Sequence, residues 1–496
     1  MRYLVLAFLF LGGLAMTLAS FPTTQVHLLG MAGVCFVPLI IVLKNTKGRG
    51  RQLALSWLFF QIFFLVLFWY SPPKLPDGFF HMDPFSAIWL LFLVPPLLYA
   101  TAFWGTVRIQ PYLGPLWGSL WGAWLMVGAI EWLILDQLFH FPLSLAITVY
   151  DQPAFLQIAS LGGWMAISAW LWLCNFILGF LLESCIWHVK GGTSQKAAFK
   201  ISQSLIVIFL SAPYVWGLYR LHTAAPPERQ IQVTLIQPNF SWQVLGFAGV
   251  STAYFENTMS ILADMTRQAS TMKSDIILFP EAVFAKSVNQ EDMIIPLKNI
   301  YKDIPTPIII VGNTHGPGGT SHNSAVLVEN ADYKAFRHKK VVVPMIENDL
   351  TKPQGTQPPF YDVIADLDIG PLICFELMSH IPLEMVKAGA DILTCHANTA
   401  YFGQSNWPFL HAAYLPLRAA ELGRSVILVN NTGFSLAADA YGRIIGQSQF
   451  DKRQILRYEI PIIREDTRYT TYPFLFIALL WMVGSFLSLR LIPIPK

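Results

Sequence analysis

Seven apolar stretches precede residue 222, at about 3–20, 27–43, 53–70, 86–105, 113–135, 154–182 and 202–219, and one more lies at about 472–489. A bilayer core needs about 20 mostly apolar residues per helix, so each of these can span it, some marginally. Between residues 222 and 470 no comparable stretch occurs, and that region holds most of the charged residues. The expected organisation is therefore a seven-helix domain over 1–222, a polar domain over 223–470 and an eighth membrane helix within 471–496. With 54% hydrophobic and 13% charged residues, the chain is too apolar for an ordinary soluble enzyme. Its net charge of +3 implies no nucleic-acid partner. The five cysteines, Cys35, Cys174, Cys185, Cys374 and Cys395, include no CxxC pair or metal-finger spacing, and their odd number excludes a complete disulfide framework.

Orientation follows from the basic residues of the short loops, which are retained on the cytoplasmic side. With the N-terminus inside, the inner loops carry Arg2, Lys44, Lys47, Arg49, Arg51, Arg108, Lys190, Lys196 and Lys200, and Arg490 and Lys496 follow the last helix. The outer loops up to the sixth helix carry only Lys74. Seven crossings then place the polar domain on the non-cytoplasmic face. The first segment has the Arg2, apolar centre and small residues of a cleavable signal peptide, but retaining it keeps the charge asymmetry consistent, and it is read as the first helix. Glu131 is the ionisable residue that stands out within the spans. A membrane carboxylate is a functional candidate because burying it unpaired is costly. Its place near the outer end of the fifth helix fits a solvated interfacial position at least as well.

In the polar domain, β-branched apolar runs at 230–240, 274–284, 306–316 and 323–330, the basic run 333–344, and runs ending at Cys374, within 390–399 and within 425–433 read as strands. Helical spacing fills 252–270, the neighbourhoods of 292–301 and 381–388, and about 407–422. Alternating strands and helices predict an α/β sandwich. Chemistry in such folds collects where apolar strands end. Three strand ends carry reactive groups: Glu281 after "IILFP", Lys339 and Lys340 before "VVVP", and Cys374 after "IGPLI". Each alone has a bland explanation: a solvated turn carboxylate, a charged edge-strand guard, a buried thiol acting as a small hydrophobe. Together they supply a base for a thiol proton, an ammonium for an oxyanion and a nucleophile, the parts for acyl transfer through a thioester. Histidine offers less: His338 falls on the strand face opposite Lys339 by period-two geometry, and His396 and His411 stay open as partners.

The order "FPEAVF", "HKKVVVPMIE", "ICFE" resembles the Glu-Lys-Cys triad of the nitrilase superfamily, and with the flanking membrane helices it resembles the apolipoprotein N-acyltransferases. "HNSAVLVEN", "HANTAYFGQSNWP" and "LRAAELGRSVILVNNTGFS" are similar to further segments of that family, so the resemblance covers nearly the whole chain. It implies an αββα sandwich joined to a domain of about eight membrane helices in a bacterial inner membrane, with the catalytic domain periplasmic. It implies Glu281 as general base, Lys339 as the oxyanion-stabilising amine and Cys374 as nucleophile, with Glu347 and Glu376 as further acidic residues of the site. Lys339 is chosen over Lys340 because its spacing to Pro344 and Glu347 matches the family. The implied reaction is ping-pong: a phospholipid acyl chain passes to Cys374 and then to the α-amine of a lipoprotein's diacylglyceryl-cysteine. A monomer without metal or organic cofactor is expected.

The chain also departs from that family. Phe375 stands for a tyrosine, Met345-Ile346-Glu347 for Phe-Gly-Glu, and Asn398-Thr399-Ala400-Tyr401-Phe402-Gly403 for Asn-Asp-Ala-Trp-Phe-Gly. Gly246 occupies the expected position of a tryptophan, the nearest being Trp242. Only 34 residues separate Lys339 from Cys374, fewer than in the family. Phe375, Trp242, Asn398 and Tyr401 are therefore candidate substrate-binding or supporting residues. Two alternatives stand beside the acyltransferase: a divergent membrane-bound nitrilase-like enzyme acting on another ester or amide, for example beside a conjugation system, and a catalytically silent scaffold.

Overall fold

The computed structural model describes residues 2–23, 31–68, 92–139, 141, 143–188, 210–343, 347, 350–351, 357–403 and 405–491. Parts of the expected second, third, fourth and seventh spans lie outside the described residues, as do Lys74, Lys190, Lys196, Lys200, Pro344, Met345, Ile346 and Lys496. The chain divides into two compact units, one holding the described residues up to Thr223 and those from Thr471 on, the other Ala224–Thr470.

In the first unit, four helices among the described residues are long and apolar enough to cross a membrane: Tyr3–Ser20, Arg49–Phe68, Pro115–Leu138 and Ala159–Ser184. Shorter apolar helices run Met31–Asn45 and Leu475–Leu489, and Val94–Leu113 is a further helix. Aromatic rings fill the unit's interior; Phe36 stacks on Trp172 with centroids 4.5 Å apart. The helical run near Phe36 is broken, and Asn175 satisfies the exposed backbone groups there, accepting from Phe36 N at 2.8 Å and donating to Ala32 O at 2.7 Å. Without such a partner, broken backbone in an apolar surround is costly. Glu131 corrects the interfacial expectation: it is buried, and its carboxylate accepts from Ser168 Oγ at 2.5 Å and Trp172 Nε1 at 2.8 Å. A hydroxyl and an indole from the neighbouring helix take the place of water.

The second unit holds two mixed sheets. The first has the order β11-β1-β2-β3-β4-β5, and the second β10-β9-β8-β7-β6. Their strands are β1 (Arg229–Gln237), β2 (Ile276–Glu281), β3 (Ile308–His315), β4 (Ser321–Glu329), β5 (Asp332–His338), β6 (Ile369–Ile373), β7 (Ile392–Ala397), β8 (Ser425–Asn430), β9 (Leu436–Ala438), β10 (Ile444–Gln447) and β11 (Gln454–Ile462). Period-two alternation builds the layers. Ile276, Leu278, Ile309 and Val311 meet Ile369, Ile373, Ile392 and Ile427 in one buried cluster between the sheets. Ile277, Phe279, Ile308 and Ile310 point the other way, into a second cluster with Leu262, Met265, Met293 and Leu297. Those four come from helices Thr252–Ser270 and Glu291–Tyr301. Helices Ile381–Lys387 and Trp407–Leu422 pack on the second sheet, completing an αββα sandwich.

The predicted strands occur, usually trimmed at their polar ends. The basic run is the exception, because β5 stops at His338 rather than continuing to residue 344. Lys339 N still bonds Asn323 O at 2.7 Å, but Lys340 N turns to the Glu376 carboxylate, also at 2.7 Å. The backbone leaves the ladder for a side-chain acceptor, and the strand ends. Sequence reading also missed β9 to β11 and the helix Trp242–Val250.

Candidate active site

β2, β3 and β5 run in one direction, since β2 and β3 are parallel and β5 follows β3 through two antiparallel steps. Glu281, the last residue of β2, and Lys339, the first residue past β5, therefore meet at one end of the sheet. Lys339 Nζ donates to Glu281 Oε1 at 3.1 Å and to Glu347 Oε1 at 2.7 Å. Glu347 is held by Val343 N, which donates to its Oε2 at 2.7 Å. Asn323 on the intervening β4 fixes the pair from both sides: its Nδ2 donates to Glu281 Oε1 at 2.7 Å while its carbonyl takes Lys339 N. Sequence reading missed Asn323, although it lies within the quoted "HNSAVLVEN". Glu281 and Lys339 are both buried. Burial works to lower the Lys339 pKa, but Glu281 and Glu347 outweigh it and hold the ammonium well above its ordinary value. Burial raises the Glu281 carboxyl, against the pull of Lys339, so it is a stronger base than a solvated glutamate.

Cys374 sits where β6 passes into the short 3-10 turn Cys374–Met378, with φ at 51°. A left-handed backbone costs a residue with a Cβ roughly 1–3 kcal/mol and persists where its surroundings over-determine it. Here His411 Nε2 donates to the Cys374 carbonyl at 3.0 Å, and Cys395 Sγ lies 3.6 Å from the same oxygen. Ala282, directly after Glu281, has φ at 53°. Both candidate catalytic strand ends therefore finish in a sharp, strained turn. Cys374 as a whole residue is partly exposed. Burial, followed by the charge on Glu281, raises it well above its ordinary value, and the opposing Lys339 ammonium does not win. Burial and the carboxylate thus favour the protonated thiol, against the pull of the ammonium.

The other predicted residues fall into two groups. Glu376 is fully buried and turned to Arg337, whose Nη1 and Nη2 donate to it at 2.6 and 3.0 Å. It also accepts from the backbone N–H of Ile373 at 2.9 Å, Lys340 at 2.7 Å and Val341 at 3.3 Å. Arg337 lies two residues before Lys339, and Glu376 two after Cys374, so the pair ties the two reactive segments together. Arg337 had no sequence signal beyond a charge on a strand. Phe375 is buried beside it. Lys340 points away, to Glu384 at 2.8 Å. His338 bonds Ser324 at 2.7 Å, and His396 bonds Phe279 O at 2.6 Å and Thr394 at 3.0 Å. His411 has its Nε2 on a carbonyl, and burial lowers its pKa to about 4, so it is neutral and positions the turn.

The second group follows β7, the neighbour of β6. Asn398 Oδ1 accepts from Ala400 N at 3.1 Å and Asn431 Nδ2 at 3.0 Å, shaping the turn that presents Tyr401. Tyr401 packs against Trp242 with ring centroids 4.3 Å apart. Burial, then the charges of Glu281, Glu347 and Cys374, push the Tyr401 hydroxyl far up, which places it against the same site. Trp242 and Gly246 are four apart on one helix and so share a face. A Cβ at Gly246 would meet nothing within 4 Å. Trp242 lies one turn toward the helix N-terminus from Gly246, and the Gly246 position, where the resemblance implies a tryptophan, is open.

Comparison with known proteins bears on both units. Residues 12–177 match the model of the apolipoprotein N-acyltransferase N-terminal domain, and residues 232–467 match that of the carbon-nitrogen hydrolases. An apolipoprotein N-acyltransferase of Chlorobaculum tepidum is 23% identical, covering 92% of this chain and 90% of its own. One of Sinorhizobium medicae is 24% identical over 96% and 95%. Among solved structures, an amidase of the nitrilase superfamily from Nesterenkonia AN1 aligns at TM-score 0.41 and 17% identity, over 52% of this chain and 98% of that one. Two family models in this order, and relatives matched almost end to end, fit a helical unit followed by an α/β sandwich. The chain belongs to the apolipoprotein N-acyltransferase family of the nitrilase superfamily.

Proposed function

We propose that the protein transfers an acyl chain from a membrane phospholipid to Cys374 and then to the α-amine of a lipoprotein's diacylglyceryl-cysteine. The observation that carries this reading is the Lys339 ammonium, buried and held between Glu281 and Glu347, beside a cysteine in a left-handed strand-to-turn position. As Sγ attacks the ester carbonyl, its proton passes to Glu281, a base strengthened by burial. Negative charge growing on the carbonyl oxygen is met by the fixed Lys339 ammonium, which needs no reorganisation. The tetrahedral intermediate expels the lysophospholipid alkoxide, which takes the proton from Glu281 and leaves a thioester. In the second half, the acceptor amine attacks the thioester carbonyl and yields its proton to Glu281, and the Cys374 sulfur departs and is reprotonated. Apolar spans keep such an enzyme in the layer where both lipid substrates reside. The basic residues of the expected inner loops support an outer, periplasmic position for the catalytic domain.

The test is intact mass of the purified protein with phospholipid. The expected result is an acyl adduct, removed by hydroxylamine, absent from Cys374→Ala, and discharged by a diacylated lipopeptide. No adduct under any phospholipid would sink the reading. An adduct lost to water at the same rate with or without lipopeptide would favour a hydrolase instead.

A further inference from the structure

A cavity of about 410 Å³ opens beside the Trp242–Tyr401 pair. Five polar side chains, those of Asn239, Ser241, Gln243, Thr432 and Asp451, share its lining with the two aromatic rings. The described lining includes no leucine, isoleucine, valine or methionine, so its apolar surface is a platform of two rings rather than an aliphatic channel for an acyl chain. Asp451 is the charged residue of the lining. Its Oδ1 accepts from Gly433 N at 2.7 Å, which fixes the carboxylate in place. An anionic phosphodiester meets a carboxylate there and no cation among the described lining residues, which disfavours a phospholipid headgroup. Cys374 does not line the cavity, so whatever enters it is attached to the reacting group rather than being that group. What remains of the two substrates is polypeptide. Its N–H and C=O groups match hydroxyl and amide side chains, and an aromatic pair is a common platform for a peptide.

On the acyl-transfer reading above, we propose that this cavity is the acceptor subsite, holding the residues that follow the diacylglyceryl-cysteine, with Asp451 selecting against acidic ones. The cavity plays its part in the second half-reaction, and Asp451 acts as a specificity-determining residue. Its edge is tied to the chemistry through Tyr401, which follows β7, the strand paired with β6 and the Cys374 turn.

The experiment loads Cys374 with acyl chain from phospholipid in the full-length protein. It then adds either of two diacylglyceryl-cysteine lipopeptides that differ by lysine or aspartate in the positions after the cysteine. Loss of the acyl mass is followed for each. The wild type is expected to discharge to the lysine peptide roughly tenfold faster, as for a single charge contact of this kind. Asp451→Asn, which keeps the acceptor for Gly433 N, should bring the ratio to within about twofold, and Gln243→Lys at the exposed rim should shift it toward the aspartate peptide. A wild type indifferent to the two peptides, or variants with the wild-type ratio, overturns the proposal. Slowed acylation in Asp451→Asn with unchanged discharge also overturns it, since the cavity would then serve the donor headgroup. Absence of the thioester in the wild type, seen before any lipopeptide is added, overturns the acyl-transfer reading itself.

Discussion

Two buried charge clusters lie a few residues apart, and they behave in opposite ways. Arg337 and Glu376 form a neutral pair whose carboxylate accepts five N–H groups, two from the guanidinium and three from the backbone. Lys339 instead faces two carboxylates, Glu281 and Glu347, so one cation must serve two anions. The first set is balanced in charge and its carboxylate is saturated, although Arg337 Nε has no partner among the described residues, and this gives rigidity. The second is short of a positive charge: burial, added to by the neighbouring carboxylate charge, raises the affinity for protons at Glu281 and Cys374, while at Lys339 the two carboxylates raise it against burial. Residue type alone does not distinguish a structural ion pair from a reactive one; the count of charges and donors does.

Removing the cation should break the reactive set first. Lys339→Met is expected to slow acylation of Cys374 by roughly 10³-fold, the scale of losing a fixed oxyanion partner. Two carboxylates would then share the pocket without a cation, so the Glu281 pKa should climb further. For the wild type the proposed mechanism sets the sign: with Glu281 ionised to take the thiol proton, acylation should fall as pH drops through a pKa above the ordinary carboxylate value. A single-turnover pH profile checks both. A wild-type acid limb at or below the value of a solvated glutamate would remove Glu281 as the base.

The balanced set should break differently. Arg337→Met leaves the Glu376 carboxylate buried without its cation, and a destabilisation of about 3–5 kcal/mol is expected. The double variant Arg337→Met/Glu376→Gln removes the charge as well and should recover most of that loss, while the glutamine oxygen still accepts backbone N–H groups. Thermal unfolding in detergent reads the difference. Equal instability of the single and double variants would mean that packing around Arg337, and not charge balance, holds the two segments together.

The contrast also explains what the sequence disclosed. Glu281 and Cys374 stood out in the sequence because each ends or follows an apolar strand, and Lys339 because it lies in a basic run before the apolar "VVVP"; strand ends are where α/β folds place chemistry. Asn323 and Arg337 did not, and His411 was weighed only as a partner of the thiol, because their meaning depends on pairing across the fold: Asn323 on Glu281, Arg337 on Glu376, His411 on the Cys374 carbonyl. Glu131 was misjudged for the same reason, since its partners Ser168 and Trp172 lie on another helix. β9 and β10 are only 3 and 4 residues long, too short for a periodic pattern to register. The stop of β5 at His338 was hidden because the acceptor that ends it, Glu376, is nearly forty residues downstream.

The smallest effects are expected on the helix Trp242–Val250, where Gly246 stands at the position for which the resemblance implies a tryptophan. Gly246→Trp places a side chain into open space, so stability should change by less than about 1 kcal/mol. Discharge of the thioester should stay within about threefold, on the scale of a peripheral contact. Trp242→Ala, by contrast, removes an aromatic pair worth roughly 0.5–1.5 kcal/mol. Combining the two asks whether a ring one turn away can replace the lost one. One helical turn is about 5.4 Å, more than the 4.3 Å that separates the Trp242 and Tyr401 centroids. The double variant should therefore discharge lipopeptide as slowly as Trp242→Ala. Recovery to the wild-type rate would mean that Tyr401 accepts a ring from either turn, and that the displaced tryptophan leaves acceptor binding unchanged.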